Sequence, residues 1–128
     1  MIGSRMGLSW LQDSRRPPRL IRLWDTEMVT DGLNKPIAIL QVLGRRQVLA
    51  FGNTDGDLPM LEWSTAGSWP RPGFLVHHTD ARREWAYDRD SRIGRLNQGL
   101  DRARERGWIL VDMVRDCLQV DPRQLVSP

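Results

Sequence analysis

Three short, almost wholly apolar runs, Gln47–Phe51, Phe74–Val76 and Trp108–Met113, constrain this chain more than any other feature. Runs of this length and composition suit strands buried on both faces of a parallel sheet. Helical spacing fills the gaps between them. Ahead of the first run, Asn34 is placed as an N-cap and Pro36 as a first-turn residue. Ile37, Leu40 and Leu43 then fall on one stripe, and Gly44 closes the helix. After it, Leu58–Ser64 reads as a short helix and Gly67–Gly73 as a loop. Thr79 and Asp80 can cap a short helix running to about Tyr87. Ser91 can cap a longer one, with Ile93, Leu96, Leu100 and Ala103 inward and Gly107 as its stop. Helices alternating with apolar strands predict an α/β layer fold: a small parallel sheet with right-handed crossovers.

The 128 residues suit about one domain. With 40% hydrophobic and 27% charged residues, the composition argues against disorder, collagen and coiled coil. No apolar run approaches the roughly 18 residues of a membrane-spanning helix, and the first twenty residues lack the apolar core of a signal peptide. A single cysteine, Cys117, permits no internal disulfide, so a reducing, cytoplasmic setting is expected.

The distribution of charge says more than the total of +3. Of the 19 basic residues, 18 are arginine and one is lysine, Lys35. Residues 1–22 carry a balance of +4, and residues 23–128 a balance of −1. The basicity belongs to the start of the chain, so no nucleic-acid-binding domain is expected. Residues 1–29 are expected to be an Arg-rich divergent segment. Within it Arg15-Arg16-Pro17-Pro18-Arg19 reads as an extended linker, residues 1–19 as poorly packed, and Leu20–Trp24 as a possible strand.

Ligands of open parallel sheets gather at the carboxyl ends of the strands. Two polar clusters fall there, Gly52–Asp57 and His77–Asp80. The first places Asn53, Asp55 and Asp57 within five residues, a density of oxygen donors suited to a hard cation such as Mg²⁺; it is equally readable as a solvated turn. An EF-hand is excluded, because a loop starting at Asn53 puts Leu58 where glycine belongs and Ser64 where the bidentate glutamate belongs. Lys35 falls in the first turn of its helix, where the macrodipole disfavours a cation by up to about 1 kcal/mol. Either it faces a nearby anion or its place has no role. His77 and His78 should point to opposite faces of their strand, so they do not share one metal; hydrogen bonding to Asp80 is the simpler expectation. Asp88-Arg89-Asp90 reads as a solvated stretch, and Cys117 has no base near it in sequence.

Lys35-Pro36 opening a helix, then an apolar strand, then GNTDGDLPML at Gly52–Leu61, resembles the C-terminal half of the haloacid dehalogenase-like (HAD) hydrolases. Acid-phosphatase-like members are the most similar. The stretch from Phe74 to Met113 resembles the end of such a protein, and the resemblance spans residues 30–121, leaving 122–128 as a tail. It implies a partial Rossmann-like, HAD-type parallel sheet with flanking helices. It also implies that Lys35 steadies negative charge on nucleophile and phosphoryl group, and that Asp57 and Asn53 hold Mg²⁺ directly or through water. Asn53 stands where an aspartate is commoner. The family's nucleophile motif, Asp-x-Asp-x-(Thr/Val) at the end of a first strand, does not occur before Lys35. The pairs Asp55/Asp57 and Asp88/Asp90 do not stand in its place.

The expected function is therefore the Mg²⁺-binding, phosphate-neutralising half of a phosphomonoesterase site for a small phosphorylated substrate, inactive without a catalytic first strand. The alternative is a non-enzymatic relative that self-associates through the sheet edge left open. A third, lesser reading is nucleic-acid binding by the Arg-rich start. No membrane partner is expected.

Overall fold

The computed structural model describes residues 2–13 and 16–121. The expected tail at 122–128 and Arg15 lie outside them. The chain is a mixed α/β protein with two sheets. One is an antiparallel ribbon of β1 (Arg5–Asp13) and β2 (Arg16–Met28). The other is a three-stranded parallel sheet of β3 (Ala50–Gly52), β4 (Gly73–His77) and β5 (Ile109–Asp112), in that order. Helices α1 (Asn34–Leu43), α2 (Leu58–Thr65), α3 (Asn97–Arg106) and the short α4 (Met113–Asp116) accompany them.

The parallel register aligns Phe51 with Phe74 and Ile109, and Gly52 with Leu75 and Leu110. Alternation along each strand then assigns these two rows to opposite faces. On the Gly52–Leu75 face, α2 and α3 pack to form the core of Ala50, Leu58, Leu61, Leu75, Leu96, Ala103 and Trp108. Trp108 Nε1 donates to Thr65 Oγ1 at 3.2 Å, pinning the entry of β5 to the end of α2. On the other face Phe51 and Phe74 stack with centroids 4.5 Å apart, and Phe51 stays 54% exposed. The expectation of strands buried on both faces is thus corrected: both crossover helices lie on one side, and the described residues cover only that side.

The first strand is shorter than the run Gln47–Phe51, because its partner begins late. Pro70 and Pro72 have no N–H to give a ladder, so pairing starts at Ala50↔Gly73. Helix α1 ends as expected, with Gly44 in the left-handed region (φ 66°) and its N–H on Leu40 O at 2.8 Å. Its start differs: Asn34 is already helical and Leu33 holds the cap position without a side-chain bond. The stripe also differs, since Ile37, Leu40 and Leu43 are exposed and Ala38 is buried. Rotation of the helix follows Lys35, which turns inward with Ala38.

Two expected helices are altered. Asp80 does cap a turn, accepting from Arg82 N and Arg83 N at 3.0 Å each, but the chain then folds back and Tyr87 N donates to His78 O. Ser91 caps nothing; its hydroxyl accepts from Asp88 N at 3.0 Å, and Gly94 at φ +70° breaks the path, leaving Ile93 87% exposed. Helix α3 begins six residues later, at Asn97, and ends at Gly107 as expected.

In place of an extended linker at the start, the chain forms the β1–β2 ribbon, with Trp10 opposite Leu20 and Leu8 opposite Arg22. Bulky apolar residues on both strands offer cross-strand pairs. The ribbon buries little, and Trp24 is 96% exposed. Its base is closed where Thr30 N donates to Ser4 Oγ at 3.0 Å. Among the described residues no helix is long and apolar enough to cross a membrane.

Candidate functional site

The loop after β3 and the start of α1 meet at the carboxyl end of the parallel sheet. Lys35 Nζ donates to Asp57 Oδ1 at 2.5 Å, and Asp31 Oδ1 lies 3.7 Å from the same ammonium. Asp57 Oδ2 accepts from Asn53 N at 2.9 Å, Thr54 N at 3.1 Å and Thr54 Oγ1 at 3.4 Å. These bonds compensate a carboxylate that is only 7% exposed. Gly52 makes the approach possible: a Cβ there would lie 2.5 Å from Asp57 Cβ, so any side chain would push the loop off the strand.

Burial pushes the Asp57 carboxyl up, but Lys35 and the N–H groups of Asn53 and Thr54 outweigh it and hold the group below its usual value. The pair is an anion fixed against a cation that otherwise opposes its own helix dipole. Of the two explanations of Lys35 left open by the sequence, the one with a facing anion describes the structure; the anion is Asp57.

Asn53 lines a cleft of about 270 Å³ with Phe51, Gly52, Asp57, Val76 and His78. Its Nδ2 donates to Tyr87 Oη at 2.7 Å and lies 3.5 Å from His78 Nε2. His78 stacks on Tyr87 with centroids 4.3 Å apart, and its Nδ1 is 2.7 Å from Glu84 Oε2. His77 pairs with Asp88 at 3.2 Å. The histidines do go separate ways, but neither partner is Asp80, which is taken by Arg83. Asp88 is solvated as expected, its side chain 58% exposed, and is also the partner of His77.

Asp55 leaves the donor cluster that its spacing suggests. Its carboxylate accepts from Asn97 N, Gln98 N and Gly99 N at 3.1, 3.2 and 2.9 Å, capping α3. Among the described residues no three His, Cys, Asp or Glu side chains come together as metal ligands. The oxygens that remain are Asn53 Oδ1, which takes no hydrogen bond from the described residues, and Asp57 Oδ1, which keeps one lone pair beside its bond from Lys35, whereas Oδ2 already accepts three bonds. Such a sparse oxygen set fits Mg²⁺, which keeps several waters and binds through one or two protein oxygens.

Sequence reasoning placed Lys35, Asn53 and Asp57, and the structure brings all three together. It missed Tyr87 and Glu84, which the expected helix over residues 79–87 absorbed. One signal was available, since Tyr87 is the sole tyrosine of the chain. Comparison of the sequence with protein-family models and with curated proteins finds no match.

Proposed function

We propose that the chain carries the Mg²⁺-binding and phosphate-neutralising half of a phosphomonoesterase site of the HAD-like type, without the strand that bears the nucleophile. One observation carries the reading. Lys35 and the loop residues Asn53 and Asp57, 22 positions apart in the case of the ion pair, converge at the carboxyl end of a parallel strand. That is where open α/β sheets hold ligands. A spread phosphoryl charge needs fixed cations around it. Lys35 supplies one, and Asn53 and Asp57 would hold a second, Mg²⁺, whose chemistry is charge neutralisation and orientation of the phosphoryl oxygens. The open side of β3 supports the missing-strand reading. It is an edge beside the site, next to exposed Val48, Leu49 and Phe51.

The test has two arms on the full chain. With an aryl phosphate and Mg²⁺, turnover is expected to be absent, while inorganic phosphate should bind in a Mg²⁺-dependent way that Lys35→Met and Asp57→Ala abolish. Robust hydrolysis that survives Asp57→Ala, or no Mg²⁺-dependent phosphate binding, overturns it.

A second reading is favoured by the exposed Phe51–Phe74 stack beside the β3 edge: a non-enzymatic module that self-associates. Light scattering separates the two, because a compact monomer at every concentration speaks against it.

A further inference from the structure

We infer that Tyr87, backed by His78 and Glu84, is a positioning residue that aims the amide of Asn53, so that its carbonyl oxygen is the atom offered to a cation in the cleft. The inference rests on the site proposed above. An asparagine side chain has one metal-binding end and one that repels metal, and a rotation by half a turn exchanges them. Where an aspartate would present an oxygen in either orientation, Asn53 needs its amide held.

The surroundings of Nδ2 supply that hold. Tyr87 Oη accepts from Nδ2 at 2.7 Å, the shorter of its two contacts. His78 Nδ1 and Glu84 Oε2 are 2.7 Å apart, and a carboxylate can only accept, so the ring hydrogen sits on Nδ1. In the neutral ring Nε2 then presents a lone pair, 3.5 Å from Nδ2. Turning the amide over would set Oδ1 against that lone pair. Glu84 thus fixes the tautomer of His78, His78 decides which end of Asn53 is left over, and the bond to Tyr87 holds the amide in that place.

The aromatic stack keeps the device together. The His78 and Tyr87 rings lie 4.3 Å apart at 20°, and Tyr87 N donates to His78 O at 3.0 Å. Gly94 leaves room for the phenol: a Cβ there would lie 2.8 Å from Tyr87 Cε2. The ring is stacked on His78 and packed against residue 94, and cannot swing away from Asn53 without unstacking.

The experiment is a double-mutant cycle on the full chain, read as Mn²⁺ and Mg²⁺ binding by titration calorimetry. Tyr87→Phe keeps the ring and removes only the hydroxyl. In the native Asn53 background it should weaken cation binding by roughly tenfold, the lower end of what losing a partner of a ligand usually costs. In the Asn53→Asp background, where either oxygen serves, Tyr87→Phe should change affinity by less than about threefold. Equal losses in both backgrounds would mean general damage to the loop and overturn the inference, as would an unchanged affinity in Tyr87→Phe. Were neither the native chain nor Asn53→Asp to bind a cation, the proposed site would itself fall, and the inference with it. His78→Phe keeps a stacked ring without the Nε2 lone pair, and should show the same background dependence in weaker form.

Discussion

Asp55 and Gly99 are joined across 44 positions of sequence, Oδ1 accepting from the glycine N–H at 2.9 Å. With Oδ2 on the N–H groups of Asn97 and Gln98, one carboxylate satisfies three of the unpaired donors at the start of α3. The loop that frames the candidate site is therefore also the cap of a core helix. Asp55→Ala should cost about 1–2 kcal/mol of stability, the range for removing a helix N-cap with its favourable charge. Asp55→Asn should cost less, since one oxygen remains to accept. Urea denaturation measures both, and an unchanged midpoint in Asp55→Ala would contradict the assignment. Because Asp55 faces α3, cation binding by the folded variants should match that of the native chain.

The Lys35–Asp57 pair makes the second prediction. The Asp57 side chain is 10% exposed, so Lys35→Met leaves a largely buried carboxylate with only the donors of Asn53 and Thr54. A loss of about 2–3 kcal/mol is expected, below the usual cost for a fully buried pair because Lys35 is partly solvated. The sign of the pH dependence follows from the depressed carboxyl. Its stabilisation is fully present above the ordinary value of 3.8 and drains away as pH falls from there toward the lower native value. In Lys35→Met the upward push of burial gains weight, so the acid loss of stability should begin at higher pH. Urea midpoints followed from neutral pH into the acid range for both chains check this. An identical acid limb would show that Lys35 contributes nothing to holding Asp57 ionised.

How much of this was legible in the sequence depended on the range of the interaction. The three parallel strands and the helix stops at Gly44 and Gly107 rest on local pattern, and were read within a few residues. Lys35, Asn53 and Asp57 were legible because a lysine against its own helix dipole and a dense oxygen loop are visible locally. Asp55 was misplaced because its partners sit more than forty residues away. The return of the chain at Tyr87 was missed for a similar reason: Asp80 gives a true helix-start signal, but the stack on His78 and the bond from Asn53 override it. Leu20–Trp24 was legible as a strand and lies within β2, but the rest of the β1–β2 ribbon was hidden by prolines, which read as linker yet are tolerated in a ribbon whose outer edges need no donors.

Arg83 ties the turn after β4 to the end of the described chain. Besides pairing with Asp80, it donates to Met113 O at 2.8 Å, Cys117 O at 2.8 Å and Leu118 O at 3.1 Å. The bond from Arg83 likewise holds the Asp80 carboxyl below its usual value. Arg83→Gln cannot span these acceptors, so α4 and the residues after it should open locally. Amide exchange at residues 113–118 should quicken by about tenfold or more while β4 and α3 keep their protection. Uniform quickening across the chain would instead mark Arg83 as a contributor to global stability.

The two faces of the sheet give the last prediction. Leu75 is 0% exposed beneath α2 and α3, whereas Phe51, on the neighbouring strand and the opposite face, is 54% exposed. Leu75→Ala should cost about 2–5 kcal/mol, the range for a core truncation that leaves a cavity. Phe51→Asp removes one stacked pair and little buried area, so it should cost only about 1 kcal/mol. Its larger effect belongs to association: an aspartate on the open face opposes any second layer that would bury the Phe51–Phe74 stack. If the chain self-associates through this face, light scattering across a concentration series should show an association that Phe51→Asp removes while the urea midpoint shifts little; a native monomer at every concentration removes the self-association reading. If association persists in Phe51→Asp, the β1–β2 ribbon with its exposed Trp24 becomes the surface responsible, and the open sheet face is then free for a covering strand or helix of another kind.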